Sequence, residues 1–312
     1  MLEFYKNQEF VLEKLSSIAP NCWINAIQPT KDEIEQLHAL GIPKDFLTYP
    51  LDVDEHSRIE EEDNGMLMIL VRIPVFFGDK ADFPYGTIPL GIIITDKHLI
   101  TVCSQSSDIL RNFSDGKIQK LSTTKRYRFT LRLLMSITSK FLDDVRRIDK
   151  DIDQLETTLL DSMRNTELIK IFRYQKSLVY FSQALKQNEI TLMRMSRLNA
   201  FKKFDEDEDL LQDVITENTQ AIDMTDVSSS ILMNTMDAMA SVISNNQNVV
   251  MKLLASVTII MEIPNIVTGF LGMNINWPDF IGKDPAVFPI TLVGLIAISV
   301  AVIWYFNRKD WF

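Results

Sequence analysis

A ladder of small and polar side chains near the C-terminus has the spacing of one helix face. Steps of seven from Asp237 reach Ser244, Met251, Thr258, Asn265 and Gly272. A second series from Ser241 reaches Asn248, Ala255, Glu262 and Gly269. The two series alternate by three and four, so they share a face. Flanking residues such as Leu253, Leu254, Ile259, Ile260, Ile263 and Ile266 are apolar. In hydrocarbon a polar face needs partners or water, and it usually turns to a bundle interior or a cavity. An ionisable group such as Glu262 costs about 2.5–3.5 kcal/mol near the centre of a span. Small and polar residues also join membrane helices without any pore; Glu262 and Asn265 favour a water-facing role. The ladder ends at Gly272-Met273-Asn274. In a symmetric assembly, neutral Asn274 amide oxygens could accept hydrogen bonds from the waters of a hydrated divalent cation without stripping them. Gly272 lets helix ends approach and turn. Asp279 and Asp284 make the adjoining loop electronegative and concentrate cations there. A single hairpin encloses no cavity, so the ladder predicts a symmetric homo-oligomer.

Two apolar runs carry this site. Leu253–Gly272 holds one charge, Glu262, and Val287–Phe306 holds none. Each is about 20 residues, enough to cross a ~30 Å hydrocarbon core. Lys252 precedes the first, and Arg308 and Lys309 follow the second. The positive-inside rule then puts both termini in the cytosol and the loop outside the cytoplasmic membrane. The N-terminus lacks a signal-peptide pattern. A net charge of −10 and a pI near 4.9 argue against nucleic acid as a partner. Cys22 and Cys103 lack metal-ligand spacing and are expected in a core. His38, His56 and His98 form no cluster and read as ordinary.

The remaining chain predicts two further segments. Residues 1–125 read as a cytosolic α+β domain. Strands are expected at Gly65–Val71, Gly91–Thr95 and His98–Val102. A helix is expected over Thr30–Leu40, with Thr30 and Glu33 as a capping box. Phe77–Gly86 is expected to be a long loop and Glu60–Asp63 a solvated turn. Residues 126–248 read as a long-helix stalk or antiparallel bundle, and residues 249–312 as the transmembrane hairpin. Phe141, Val145, Ile148, Ile152, Leu155 and Leu159 make one a/d seam; Ile171, Leu178, Leu185 and Leu192 make another. Breaks are expected near Asn165 and at Asp205–Asp209, the latter as a solvated or cation-loaded turn. From about Leu210 a third helix meets no Gly or Pro before Pro264. That is roughly 80 Å of helix running into the membrane.

A cytosolic part, two C-terminal spans and the intervening Gly272-Met273-Asn274 resemble the CorA family of divalent-cation channels. The resemblance covers the whole architecture and is closest over Asp213–Asn274. It implies a funnel-shaped homopentamer in the cytoplasmic membrane that carries Mg²⁺ passively, with Co²⁺ and Ni²⁺ as secondary ions. It implies that Asn274 is the filter, supported by Gly272 and Met273, and that Asp237, Asn248 and Asn265 line the pore. Met251 with Leu254 or Ala255 falls at the family's apolar constriction. Asp213 resembles a carboxylate that shares a regulatory Mg²⁺ with the neighbouring subunit, closing the pore. This chain departs from the family at Leu271, where an aromatic is usual, at Trp277-Pro278-Asp279-Phe280, which keeps a proline and an acid, and at Glu262, usually a non-ionic position. A zinc transporter of the same superfamily is the second reading, against which Met273 speaks; cobalt or nickel transport is a further alternative. A membrane-anchored scaffold is the third, though it has no need of Glu262 and Asn274. No phosphate loop, nucleophile elbow or other catalytic constellation predicts an enzyme.

Overall fold

A computed structural model describes residues 1–8, 11–118, 121–162, 165–273, 286–309 and 311. The chain divides into two units, Met1–Asn234 and Thr235–Phe312.

The first unit is built on a seven-stranded sheet of order β2-β1-β3-β7-β6-β5-β4. Its strands are β1 (Leu2–Gln8), β2 (Val11–Leu15), β3 (Trp23–Ile27), β4 (Arg58–Glu61), β5 (Leu67–Phe76), β6 (Tyr85–Ile94) and β7 (Leu99–Cys103). Only β3 and β7 pair in parallel; the other neighbours are antiparallel. Every residue of β6 is buried, which is why its sequence is a nearly unbroken apolar run. Gly91 lies in this strand because a Cβ there would come 2.3 Å from the Pro50 ring. Glu60 and Glu61 belong to β4, so only the second half of the acidic run is a turn. Tyr85 and Gly86 likewise belong to β6, which shortens the expected loop.

Helices cover both faces of the sheet. On one side α1 (Lys31–His38) and α2 (Lys44–Thr48) contribute Leu37, Phe46 and Leu47 to a core with Ile24, Met68, Leu70, Ile100 and Val102. Thr30 caps α1, and both bonds of the capping box to Glu33 form. On the other side lie α3 (Asp108–Ser114), α4 (Arg126–Ser162) and α5 (Asn165–Met195). Trp23 packs here with Phe113 and Phe129, and Phe181 of α5 meets Tyr85 and Phe141. The two a/d seams thus face the sheet and each other, apart from Leu159, whose side chain lies outside the described ones. Phe141, Val145, Ile148, Ile171, Leu178 and Leu185 are fully buried. Within the expected bundle or stalk, α5 also packs directly on β4, β5 and β6.

The third long helix, α6, spans Asp205–Leu271. The five acids Asp205–Asp209 open this helix, four of them in its first turn, and are not a break before it. Their charges favour the positive end of the helix dipole. Arg128 adds ion pairs to Glu206 at 2.7 Å and Asp207 at 2.5 Å. The helix also continues through Pro264. A final helix, α7, spans Val287–Arg308. Both α6 and α7 contain stretches long and apolar enough to cross a membrane, and almost nothing in those stretches is buried within the chain. An apolar surface that the protein itself leaves uncovered is that of a helix solvated by lipid or by copies of itself.

Candidate functional site

In the second unit, one side of α6 is partly covered and the ladder lies on another. Met239, Ile243, Ser256, Ile260, Ile263, Pro264 and Val267 are buried or half-buried. Of these, Ser256, Ile260, Ile263 and Val267 recur every three or four residues, as one helix face must. At about 100° per residue, Thr258, Glu262 and Asn265 point well away from Ser256 and Ile260. Asp237, Ser241, Ser244, Asn248, Met251, Ala255, Thr258, Glu262, Asn265 and Gly269 are all exposed. The whole ladder is therefore free of cover within one chain.

Two hydroxyls of the ladder, Ser241 and Thr258, are oriented for accepting from outside the helix rather than donating outward. Ser241 Oγ donates to the Asp237 carbonyl at 3.1 Å, and Thr258 Oγ1 donates to that of Leu254 at 2.8 Å. Outside the ladder, Thr268 Oγ1 donates to the Pro264 carbonyl at 2.9 Å. Each proton is taken up by the helix itself, so the oxygen presents lone pairs outward. Outward lone pairs can accept hydrogen bonds from water.

The outer end of the ladder is where α6 stops. Gly272 N donates to the Thr268 carbonyl at 2.8 Å, and Met273 N donates to that of Phe270 at 3.3 Å. A Cβ at Gly272 would press to 3.1 Å from the Thr268 carbonyl oxygen, so a glycine relieves this terminal turn. Asn274, Asp279 and Asp284 lie outside the described residues. Among the described residues, no hydrogen bond or ion pair reaches the Glu262 carboxylate.

In the first unit, Asp213 is exposed on α6, in line with Asp209 and Glu217 at helical spacings of four. Like charges at that spacing repel, and a divalent cation would relieve them. The opposite side of this part of α6 is tied to α4 and α5. Ser228 donates to Asp149 at 3.0 Å, Asn218 Nδ2 donates to the Leu185 carbonyl at 3.2 Å, and Lys186 pairs with Asp226 at 2.9 Å. The Lys186 and Ser182 hydrogen bonds hold the Asp226 carboxyl below its usual range. These partners are distant in sequence and carry no local signature, so they were not foreseen. Asp144 of α4 was missed for the same reason: it is 1 % exposed, pairs with Lys140, and leaves Oδ2 without a hydrogen bond.

The two cysteines are buried and unbridged. His98 Nδ1 lies 3.5 Å from Cys22 Sγ, His38 Nδ1 lies 2.7 Å from the Ile42 carbonyl oxygen, and His56 meets Gln187. Among the described residues, no group of His, Cys, Asp and Glu is arranged to hold a metal within one chain.

Residues 19–308 match the family described as CorA-like Mg²⁺ transporter protein. The chain is 27% identical over 299 residues to the cobalt/magnesium transport protein CorA of Methanocaldococcus jannaschii, covering 93% of this chain and 90% of that one. It is 23% identical to the cobalt/magnesium transport protein CorA of Thermotoga maritima, over 97% of this chain and 86% of the other. The complete structure of the M. jannaschii CorA magnesium transporter superposes with a TM-score of 0.83 at 25% identity, over 100% of this chain and 99% of that one.

Proposed function

The chain belongs to the CorA family, and from that premise we propose that it is a Mg²⁺ channel of the cytoplasmic membrane. The observation that carries this reading is the ladder. Its polar and small side chains are exposed along α6, on a side turned away from the helix's own partly covered face. In lipid such a face is stable against another helix or around a wet cavity, and Glu262 and Asn265 favour the cavity. A homopentamer, the stoichiometry the family resemblance implies, would surround that cavity with the ladder from Asp237 to Gly269. Gly272 and Met273 would present Asn274 as a ring of amide oxygens, and Asp279 and Asp284 would gather cations at the mouth. Both termini would be cytosolic. The domain limits at about residues 125 and 248 belong to the same proposal. Ions would move down the membrane potential, about 2.3 kcal/mol per elementary charge per 100 mV.

Regulation follows from Asp213. Its row of carboxylates on α6 would take up cytosolic Mg²⁺ between neighbouring subunits and hold the pore shut at high internal Mg²⁺. Co²⁺ and Ni²⁺ are expected as secondary ions, and relatives named as cobalt/magnesium transport proteins support this. Uptake into proteoliposomes, compared for Mg²⁺, Co²⁺ and Zn²⁺, tests the whole reading. Potential-driven Mg²⁺ entry is expected. Zn²⁺ entry without Mg²⁺ entry would replace it with the zinc-transporter reading.

A further inference from the structure

Glu262 lies nine residues from Leu253 and nine from Leu271, the ends of the apolar part of α6. At 1.5 Å per residue that is roughly 14 Å from either end of the run. A glutamate side chain is too short to reach either interface from there. An ionised carboxylate at that depth needs a counter-charge beside it, because an uncompensated ion in hydrocarbon is costly. No basic residue occurs between Leu253 and Leu271, and none between Val287 and Phe306. Every copy in a homo-oligomer has the same two spans, so neighbours bring more carboxylates and no fixed cation. Glu262 is exposed, shares its face with Thr258 and Asn265, and receives no hydrogen bond or ion pair among the described residues.

We infer that Glu262 forms a second cation site of this channel, at the bilayer midplane and inward of the Asn274 filter. The inference rests on the reading of the ladder as pore lining. The counter-ion is mobile because no fixed one exists in either span. Carboxylate oxygens can enter an ion's inner coordination shell, unlike an amide ring that accepts hydrogen bonds from its waters. Mg²⁺ resists that exchange, while affinity for oxygen and nitrogen sites rises from Mn²⁺ through Co²⁺ to Ni²⁺. Co²⁺ and Ni²⁺ therefore dwell longer at Glu262 than Mg²⁺ does, and they block Mg²⁺ flux from this position.

The test is Glu262→Gln in the full-length protein, reconstituted in liposomes, with Mg²⁺ entry read by an indicator while Co²⁺ is titrated. The expected result is that Co²⁺ block, measured against the variant's own Mg²⁺ entry, is weakened roughly tenfold or more, since a charged ligand is replaced by a neutral one. Glu262→Asp should restore much of the block. A Co²⁺ titration identical to that of the unmodified protein would overturn the inference while leaving the channel reading intact. Absence of Mg²⁺ entry in the unmodified protein would instead overturn the channel reading. If Glu262→Gln does not conduct, calorimetric titration of Co²⁺ into the assembled, detergent-solubilised oligomer decides the matter. Loss of one class of Co²⁺ site relative to the unmodified protein supports the assignment, and unchanged stoichiometry refutes it.

Discussion

At the scale of single residues, chemistry is set by what each polar atom finds to bond. Asn274 offers an oxygen and no charge, which suits an ion that keeps its water. Asn274→Ala is expected to abolish selective Mg²⁺ uptake while the oligomer still assembles. Unchanged uptake and ion preference in liposomes would remove Asn274 from the mechanism. Asp144 shows the opposite situation, a carboxylate held where water is scarce. Burial raises its pKa, opposed by Lys140 and Arg147. The folded chain therefore binds this proton more tightly than the unfolded chain. The group costs no stability below its unfolded pKa, and its cost grows as pH rises toward and through the folded value. Asp144→Asn removes that cost while keeping an acceptor for Lys140. Thermal melts should show the variant gaining on the unmodified protein at neutral pH and losing that gain in mild acid. A pH-independent difference would mean that packing, not charge, sets the effect.

At the scale of elements, the sheet is secured by side chains as well as by strands. β4 pairs only with Leu67–Leu70 of β5, so the edge of β5 beyond it lacks a strand partner. Asn188 of α5 supplies one. Its Oδ1 accepts from Arg72 N at 2.9 Å, and its Nδ2 donates to the Arg72 carbonyl at 2.8 Å. It imitates one residue of a neighbouring strand. Asn188→Ala leaves both backbone groups without partners, and each unsatisfied group costs about 1–3 kcal/mol when buried. A clear fall in melting temperature is expected, larger than for Asn199→Ala in the connection before α6. Equal melting temperatures would show that water replaces the amide.

At the scale of the whole molecule, one chain is incomplete by its own geometry. The ladder and most of the apolar surface of α6 and α7 are uncovered. Native mass spectrometry of the detergent-solubilised protein is expected to give a homo-oligomer, with a pentamer the stoichiometry proposed. A stable monomer that still transports would refute the pore reading. The proposed regulation also belongs to this scale, because Asp213 would share its cation with a neighbouring subunit. Asp213→Asn should leave transport less inhibited by internal Mg²⁺. Superimposable inhibition curves would make Asp213 a solvated surface residue.

The two apolar C-terminal helices, the long helices and the exposed face that the ladder residues share were legible in the sequence because each rests on local periodicity. A helix face is dictated by spacing along one segment, and an apolar run of spanning length has few other uses. The capping box of Thr30 and Glu33 and the buried strands around Ile69, Ile92 and Ile100 were legible for the same reason. Strands β1, β2 and β3 were not, because short strands of mixed composition become strands through their neighbours. The parallel pairing of Trp23–Ile27 with Leu99–Cys103 joins segments far apart in the chain. The acids Asp205–Asp209 read as a break because local repulsion is all that sequence displays. In the fold, a helix terminus and Arg128, distant in sequence, turn the same charges into a helix start. The placement of α4 and α5 on the sheet, and of Asp144 beneath them, was likewise decided only by tertiary packing, which selects partners that no local spacing specifies.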